Sequence, residues 1–432
     1  MVSSLVEIAL ALKEGRVTSR AYTADCLARC RERDPRVHAW QSLDEGRALA
    51  LAEECDRRRA SGAELSALHG IPVGVKDIID TADLPTEIGT PVFAGRRPDR
   101  DAAVVERLKR AGAFALGKTV TTEFAFMHPG KTRNPWHAEH TPGGSSSGSA
   151  AAVAAGLVPA AIGTQTNGSI IRPAAFCGVV GFKPTFGLIP TVGVSPFSET
   201  LDTIGTFAAN VAGAARLAGP LADVESVPPD VSRLDRAPHL AALAQFPWNK
   251  LETEAQLHFD AAVDALRAAG ARVEPITLPP EFAEAKTVHR TIMMFEAARL
   301  LGTQQSLHRA RLSPELNAAR DEGRGIELDT FHAAIAQRAA LIERAHDLFE
   351  SFDAFLSPPA PGPAPRRLDI TGDPSFCTLW SLLGVPAISI PSGWSRAGLP
   401  FGVQLAADAG ADGYLLRVAQ WCEAALRFEA RK

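Results

Sequence analysis

The chain has 432 residues, 46% hydrophobic and 22% charged, with 35 glycines and 31 prolines scattered among periodic segments, a composition that excludes a disordered protein. A formal net charge of −4, with no block of like charges beyond short clusters such as Arg57-Arg58-Arg59, gives no electrostatic footprint for nucleic acid or an anionic membrane. Six cysteines without a CxxC pair argue against a zinc ribbon or redox motif, and reduced thiols in a cytoplasm fit best.

The N-terminus lacks the basic-then-apolar pattern of a secretory signal. The apolar stretches at 150–162 and 382–390 are broken by Gly or Pro and fall short of the ~18 to 20 residues of a membrane span. In chain order, Leu5, Ile8, Ala9 and Leu12 form a helical stripe, and residues 19–31 and 45–59 repeat the pattern. Residues 70–80 switch to a short strand pattern, 101–111 to a helix and 113–117 to a strand. A helix at 149–155, strands at 158–163 and 178–182, a helix at 254–268 and a strand at 271–277 follow. This alternation predicts an α/β fold with a mixed sheet covered on both faces.

Residues 280–350 read as almost wholly helical, and the proline-rich run 356–365 as a stiff connection that could link domains. The strand patterns at 385–391 and 401–405 indicate instead that the tail rejoins the same sheet. One domain is therefore expected over 1–432. Its parts are a helical N-terminal region (1–65), a core (66–215), a variable helical part (225–350) and a C-terminal part (355–432).

Thr141-Pro-Gly-Gly-Ser-Ser-Ser-Gly-Ser-Ala-Ala-Ala-Val-Ala-Ala-Gly156 is the most unusual stretch. By composition it resembles a flexible linker, yet it opens onto an Ala-rich helix, where free N–H groups favour developing negative charge. A second small polar loop, Gly163-Thr-Gln-Thr-Asn-Gly-Ser-Ile-Ile-Arg-Pro173, follows. With these two loops, with Lys76 in His69-Gly-Ile-Pro-Val-Gly-Val-Lys-Asp, and with Arg133-Asn-Pro-Trp136, Cys177-Gly-Val-Val-Gly-Phe-Lys-Pro-Thr185 and Gly398-Leu-Pro-Phe-Gly-Val-Gln404, the chain resembles the amidase signature family. The separations also match: 24 residues between Ser145 and Ser169, and 69 between Lys76 and Ser145. The resemblance is strong over 65–215, moderate from 355 onward and slight over 225–350, the family's variable substrate-facing part.

The resemblance implies a single-domain α/β/α sandwich with a large twisted mixed β-sheet, and a cofactor-free, metal-free amide hydrolase. Ser169 would be the nucleophile. Ser145, on a cis peptide, would shuttle the proton, and Lys76, neutral through burial, would be the base. Backbone N–H groups of Thr166, Asn167, Gly168 and Ser169 would form the oxyanion nest. Asn167 stands where many relatives have Gly, and Asn tolerates a positive φ. Arg172 matches relatives of a malonamidase-like subgroup and would clamp a substrate carboxylate, with a structural role on loop carbonyls as the equal alternative. Thr164 would face the acyl pocket. The partner would be a small-molecule amide, ureide or carbamate, and the protein a cytoplasmic homodimer assembled through its N-terminal helices.

Several competing readings remain. Gly144-Ser-Ser-Ser-Gly148 satisfies the G-x-S-x-G pattern of α/β-hydrolases with Ser146 as nucleophile, but His140-Thr-Pro-Gly precedes it in place of a strand. His128, His137 and His140 with Glu139 hint at a metal, although surface or pocket-rim histidines fit better. Cys26 and Cys30 read as buried thiols. A lone lysine at position 76 would ordinarily be ion-paired, here with Asp77 or Asp80. The chain could also be a glutaminase-like subunit of an amidotransferase, although those subunits usually run longer and carry an acidic residue in place of Gln165.

Overall fold

The computed structural model describes residues 4–222 and 227–429. The chain begins with α1 (Leu5–Lys13), α2 (Ser19–Val37), β1 (Trp40–Leu43), α3 (Glu45–Ala60), β2 (Pro72–Lys76), α4 (Ala103–Arg110) and β3 (Phe114–Thr119). Next come α5 (Ser147–Ala154), β4 (Ala160–Gln165), α6 (Ile171–Cys177), β5 (Val180–Lys183), β6 (Thr203–Ala208) and α7 (Val211–Ala218). Then follow β7 (His239–Ala242), α8 (Thr253–Ala268), β8 (Arg272–Pro275), α9 (Ala285–Leu300), α10 (Gly302–His308), α11 (Pro314–Arg324) and α12 (Leu328–Phe349). The chain closes with β9 (Ala354–Ser357), α13 (Thr378–Leu383), β10 (Ala387–Trp394), β11 (Pro400–Ala406) and α14 (Asp412–Leu426).

Among the described residues eleven strands join one sheet in the order β1-β3-β2-β4-β6-β5-β10-β11-β9-β7-β8. The pairings β2 with β3 and β4, and β7 with β8 and β9, are parallel, and the rest are antiparallel. The expected single-domain α/β architecture with a large mixed sheet is the one observed. Every residue of β2, β3, β4 and β6 is buried, so these strands are covered on both faces and read as apolar or small-residue runs without alternation. Helix ends are set locally: Ser4 and Glu7 form a capping box on α1, and Thr18, Asp44 and Asn210 cap α2, α3 and α7.

Some elements differ from the sequence pattern. Residues 40–43, inside the helical leader, form the edge strand β1, and α2 runs on through Pro35 to Val37. The proline-rich run leaves β9 without parting two domains. It is fastened to the Gly/Ser tract by Thr141 N–H donating to Pro365 O (3.1 Å) and by His140 Nδ1 on Ala364 O (2.7 Å). His140 is therefore a buried structural residue, not a pocket-rim one. Among the described residues no His, Cys, Asp and Glu group could hold a metal. All six cysteines are free, Cys26 and Cys30 being buried. No described helix is long and apolar enough to cross a membrane.

Two features of the sheet position the site. β2 and β4 are parallel neighbours with Val75 opposite Ile162, so Lys76 and Thr164 emerge side by side at the C-terminal ends. The Ala-rich α5 packs on these strands because its small side chains allow close approach. A Cβ on Gly148 would lie 2.4 Å from Ala39 O and Val120 N, so no larger residue fits there.

Candidate active site

Lys76 ends β2 with a side chain that is 0% exposed. Its Nζ donates to Ser145 Oγ at 2.7 Å and to Thr164 Oγ1 at 2.7 Å. The carboxylates that might have paired with it are engaged elsewhere. Asp77 Oδ1 lies 3.4 Å from Lys118 Nζ, and Asp80 takes Arg96 through two 2.8 Å bonds. Burial without a paired anion lowers the Lys76 pKa to about 7, against the weaker upward pull of Asp202. Lys118, on the neighbouring strand β3, is lowered to about 8 by burial although it has Asp77 beside it.

Ser145 sits in the Gly/Ser tract, and the Gly144–Ser145 peptide is cis. The tract needs its glycines. Gly143 has φ +80° with a virtual Cβ 2.7 Å from Pro173 Cα, and a Cβ on Gly144 would meet Thr371 Cγ2 at 2.8 Å. Ser146, the rival nucleophile, is fully buried and locked on β4: its Oγ donates to Thr164 O (3.0 Å) and accepts from Thr164 N–H (3.2 Å). Thr164, expected to face the acyl pocket, accepts from Lys76 Nζ on its hydroxyl, and its backbone groups bond Ser146 Oγ.

Ser169 lies in the loop between β4 and α6, is 9% exposed, and its hydroxyl has no protein partner among the described residues. Gln165 Oε1 accepts the N–H groups of Ile170 and Ile171 at 2.8 and 3.0 Å. The N–H groups of Asn167, Gly168 and Ser169 just before them have no acceptor among the described residues, which leaves a short run of free donors beside the Ser169 hydroxyl. Asn167 is not in the left-handed region, so it replaces Gly without the positive φ that the sequence allowed for. Its Oδ1 accepts from Thr378 on α13 (2.8 Å).

Arg172, on α6, is 4% exposed. Nη2 donates to Gly144 O (2.7 Å) and to Thr371 Oγ1 (3.1 Å), while Nε and Nη1 are buried without a partner. Burial lowers its pKa to about 10. The structure thus gives Arg172 the loop-carbonyl bond and leaves donors over.

Three polar residues of the site carry no sequence signal that would single them out. Asp202 accepts Thr166 Oγ1 (2.5 Å) and the N–H of Phe197 and Ser198 (2.7 and 3.0 Å), with its pKa raised by burial. His289 on α9 hydrogen-bonds the Thr166 carbonyl, and Ser381 on α13 that of Asn167.

The amidase family model matches residues 21–416 of this chain. The chain is 36% identical over 467 aligned residues to the A-type component of the glutamyl-tRNA(Gln) amidotransferase of Synechococcus sp. (strain WH7803), covering 96% of this chain and 95% of that protein. It superposes on the native peptide amidase of Stenotrophomonas maltophilia with a TM-score of 0.85 at 31% identity, covering 100% and 98% of the two chains. A chain from a vestigial protein complex that reveals the evolutionary origins of an s-triazine catabolic enzyme gives a TM-score of 0.88 at 27% identity, covering 98% of each. Taken with the fold and the clustered loops, these matches make this chain a member of the amidase signature family, an enzyme that hydrolyses amide C–N bonds.

Proposed function

We propose that the chain hydrolyses a small-molecule amide through an acyl-enzyme on Ser169, with Ser145 as proton shuttle and Lys76 as base. The observation that carries this reading is the buried Lys76 amine, 2.7 Å from Ser145 Oγ and without a carboxylate partner. A serine hydroxyl attacks a carbonyl only when a base takes its proton. Neutral Lys76 would accept the Ser145 proton as Ser145 accepts that of Ser169, and Ser169 Oγ would bond to the carbonyl carbon. The N–H groups of residues 166–169 would hold the oxyanion. The proton would return through Ser145 to the leaving nitrogen as the C–N bond breaks, and water activated by the same relay would release the acid. No step calls for a metal or cofactor.

The substrate we infer carries a carboxylate, as the malonamidase-like resemblance suggests. A guanidinium buried with two of its nitrogens unpartnered is costly, and an anion placed on Nε and Nη1 would offset that cost. The similarity to the A-type components of amidotransferases favours a second reading, a glutaminase-like subunit that needs a partner. We place the enzyme in the cytoplasm as a homodimer joined by its N-terminal helices.

The test is hydrolysis by the purified chain of a panel of neutral and carboxylated amides, ureides and carbamates, run beside Ser169→Ala and Lys76→Ala. Turnover of carboxylated amides by the chain alone, abolished by both substitutions, is the expected result. Activity surviving in Ser169→Ala rejects the mechanism, and activity appearing only with a partner favours the second reading.

A further inference from the structure

The loop between β4 and α6 is held by side chains from outside the signature motifs, and they grip one kind of atom. His289 Nε2 lies 3.0 Å from Thr166 O, and Ser381 Oγ donates to Asn167 O at 2.5 Å. Both side chains are buried, and their helices, α9 and α13, pack together. The direction of each bond is fixed. A carbonyl oxygen only accepts, so His289 Nε2 carries the proton; burial pushes the His289 pKa down to about 4 and keeps the ring neutral. Gln165 Nε2 donates to Ser381 Oγ (3.0 Å), which leaves the Ser381 proton for Asn167 O.

A trans peptide unit is planar, with its C=O and the following N–H pointing in opposite directions. Holding Thr166 O therefore fixes the direction of Asn167 N–H, and holding Asn167 O fixes that of Gly168 N–H. Loop peptides without such anchors can rotate their donors away at small cost, whereas an oxyanion hole acts through donors already in place. We propose that His289 and Ser381 are positioning residues that grip two successive peptide units from behind and aim the Asn167 and Gly168 N–H groups at the oxyanion.

This inference rests on reading residues 166–169 as the oxyanion nest, so the experiment includes Ser169→Ala. His289→Leu, His289→Gln and Ser381→Ala are compared with wild type in kcat and KM on one small amide. The same set is compared in thermal melting and in affinity for phenylboronic acid, whose tetrahedral serine adduct resembles the oxyanion. His289→Leu and Ser381→Ala should each lose roughly 10- to 100-fold in kcat and a similar factor in boronate affinity, with KM nearly unchanged. His289→Gln, which keeps an N–H near the Nε2 position, should recover most of the loss. A merely structural role would lower the melting temperature and leave kcat and boronate affinity as in wild type, and that result overturns the proposal. If His289→Leu does not fold, Ser381→Ala decides by the same criteria. Persistent activity in Ser169→Ala would instead sink the nest assignment itself.

Discussion

On the β2 and β4 side of the site, polar side chains are satisfied by the motif loops and strands themselves: Lys76 by Ser145 and Thr164, and Ser146 by both backbone groups of Thr164 only 18 residues away. On the α9 and α13 side, single side chains reach the nucleophile loop from 123 and 214 residues along the chain, His289 to Thr166 and Ser381 to Asn167. The first side is built by close backbone packing within the motifs, with glycines demanded by contacts under 3 Å. The second is built by the packing of helices α9 and α13. The proposed base and relay thus belong to the tightly constrained half of the design, while the proposed aim of the donors is set partly by the other half.

That contrast can be broken by substitution. Ser145→Ala removes the proposed relay without touching the proposed nucleophile and should lower kcat/KM by about 10²- to 10⁴-fold, measured by steady-state hydrolysis; a loss under tenfold would mean that Lys76 reaches Ser169 another way. Arg172→Ala should raise KM for carboxylated amides well above its effect on neutral ones. Equal losses on both would leave Arg172 as the fastener of Gly144 O alone. Ser146→Ala should affect activity least. It strips both backbone groups of Thr164 of a partner and should cost about 1 to 3 kcal/mol in denaturant unfolding, with kcat/KM nearly retained.

Much of the first half is legible in the sequence. Lys76, Ser145 and Ser169 stand in motifs whose spacing reflects the pairing of β2 with β4, and the strand at β2 is visible as an apolar run. The second half is not legible. Nothing in the spacing of His289 relates it to Thr166, and a lone histidine on an amphipathic helix reads as surface or core. β6 escapes the pattern because Thr203-Ile-Gly-Thr-Phe-Ala208 is buried on both faces and lacks alternation. β7, His239–Ala242, escapes it because two of its four residues are alanine, which signals helix as readily as strand. Pro173 hides α6: a proline in the first turn suits a helix start, but in sequence it reads as more loop. Thr164 reads in the sequence as part of the second polar loop, whereas in the structure it lies on β4, and its hydroxyl meets a lysine 88 residues earlier.

The central claim is that a neutral, buried Lys76 drives the relay, and the pH dependence of kcat/KM tests it most directly. Burial lowers the Lys76 pKa to about 7, so the base is charged and inactive below that pH and neutral above it. The rate should climb tenfold per pH unit in the acid range, bend near pH 7 and level off above. A profile flat from pH 5 to 9, or one still rising toward pH 10 as for an ordinary lysine, would contradict the account.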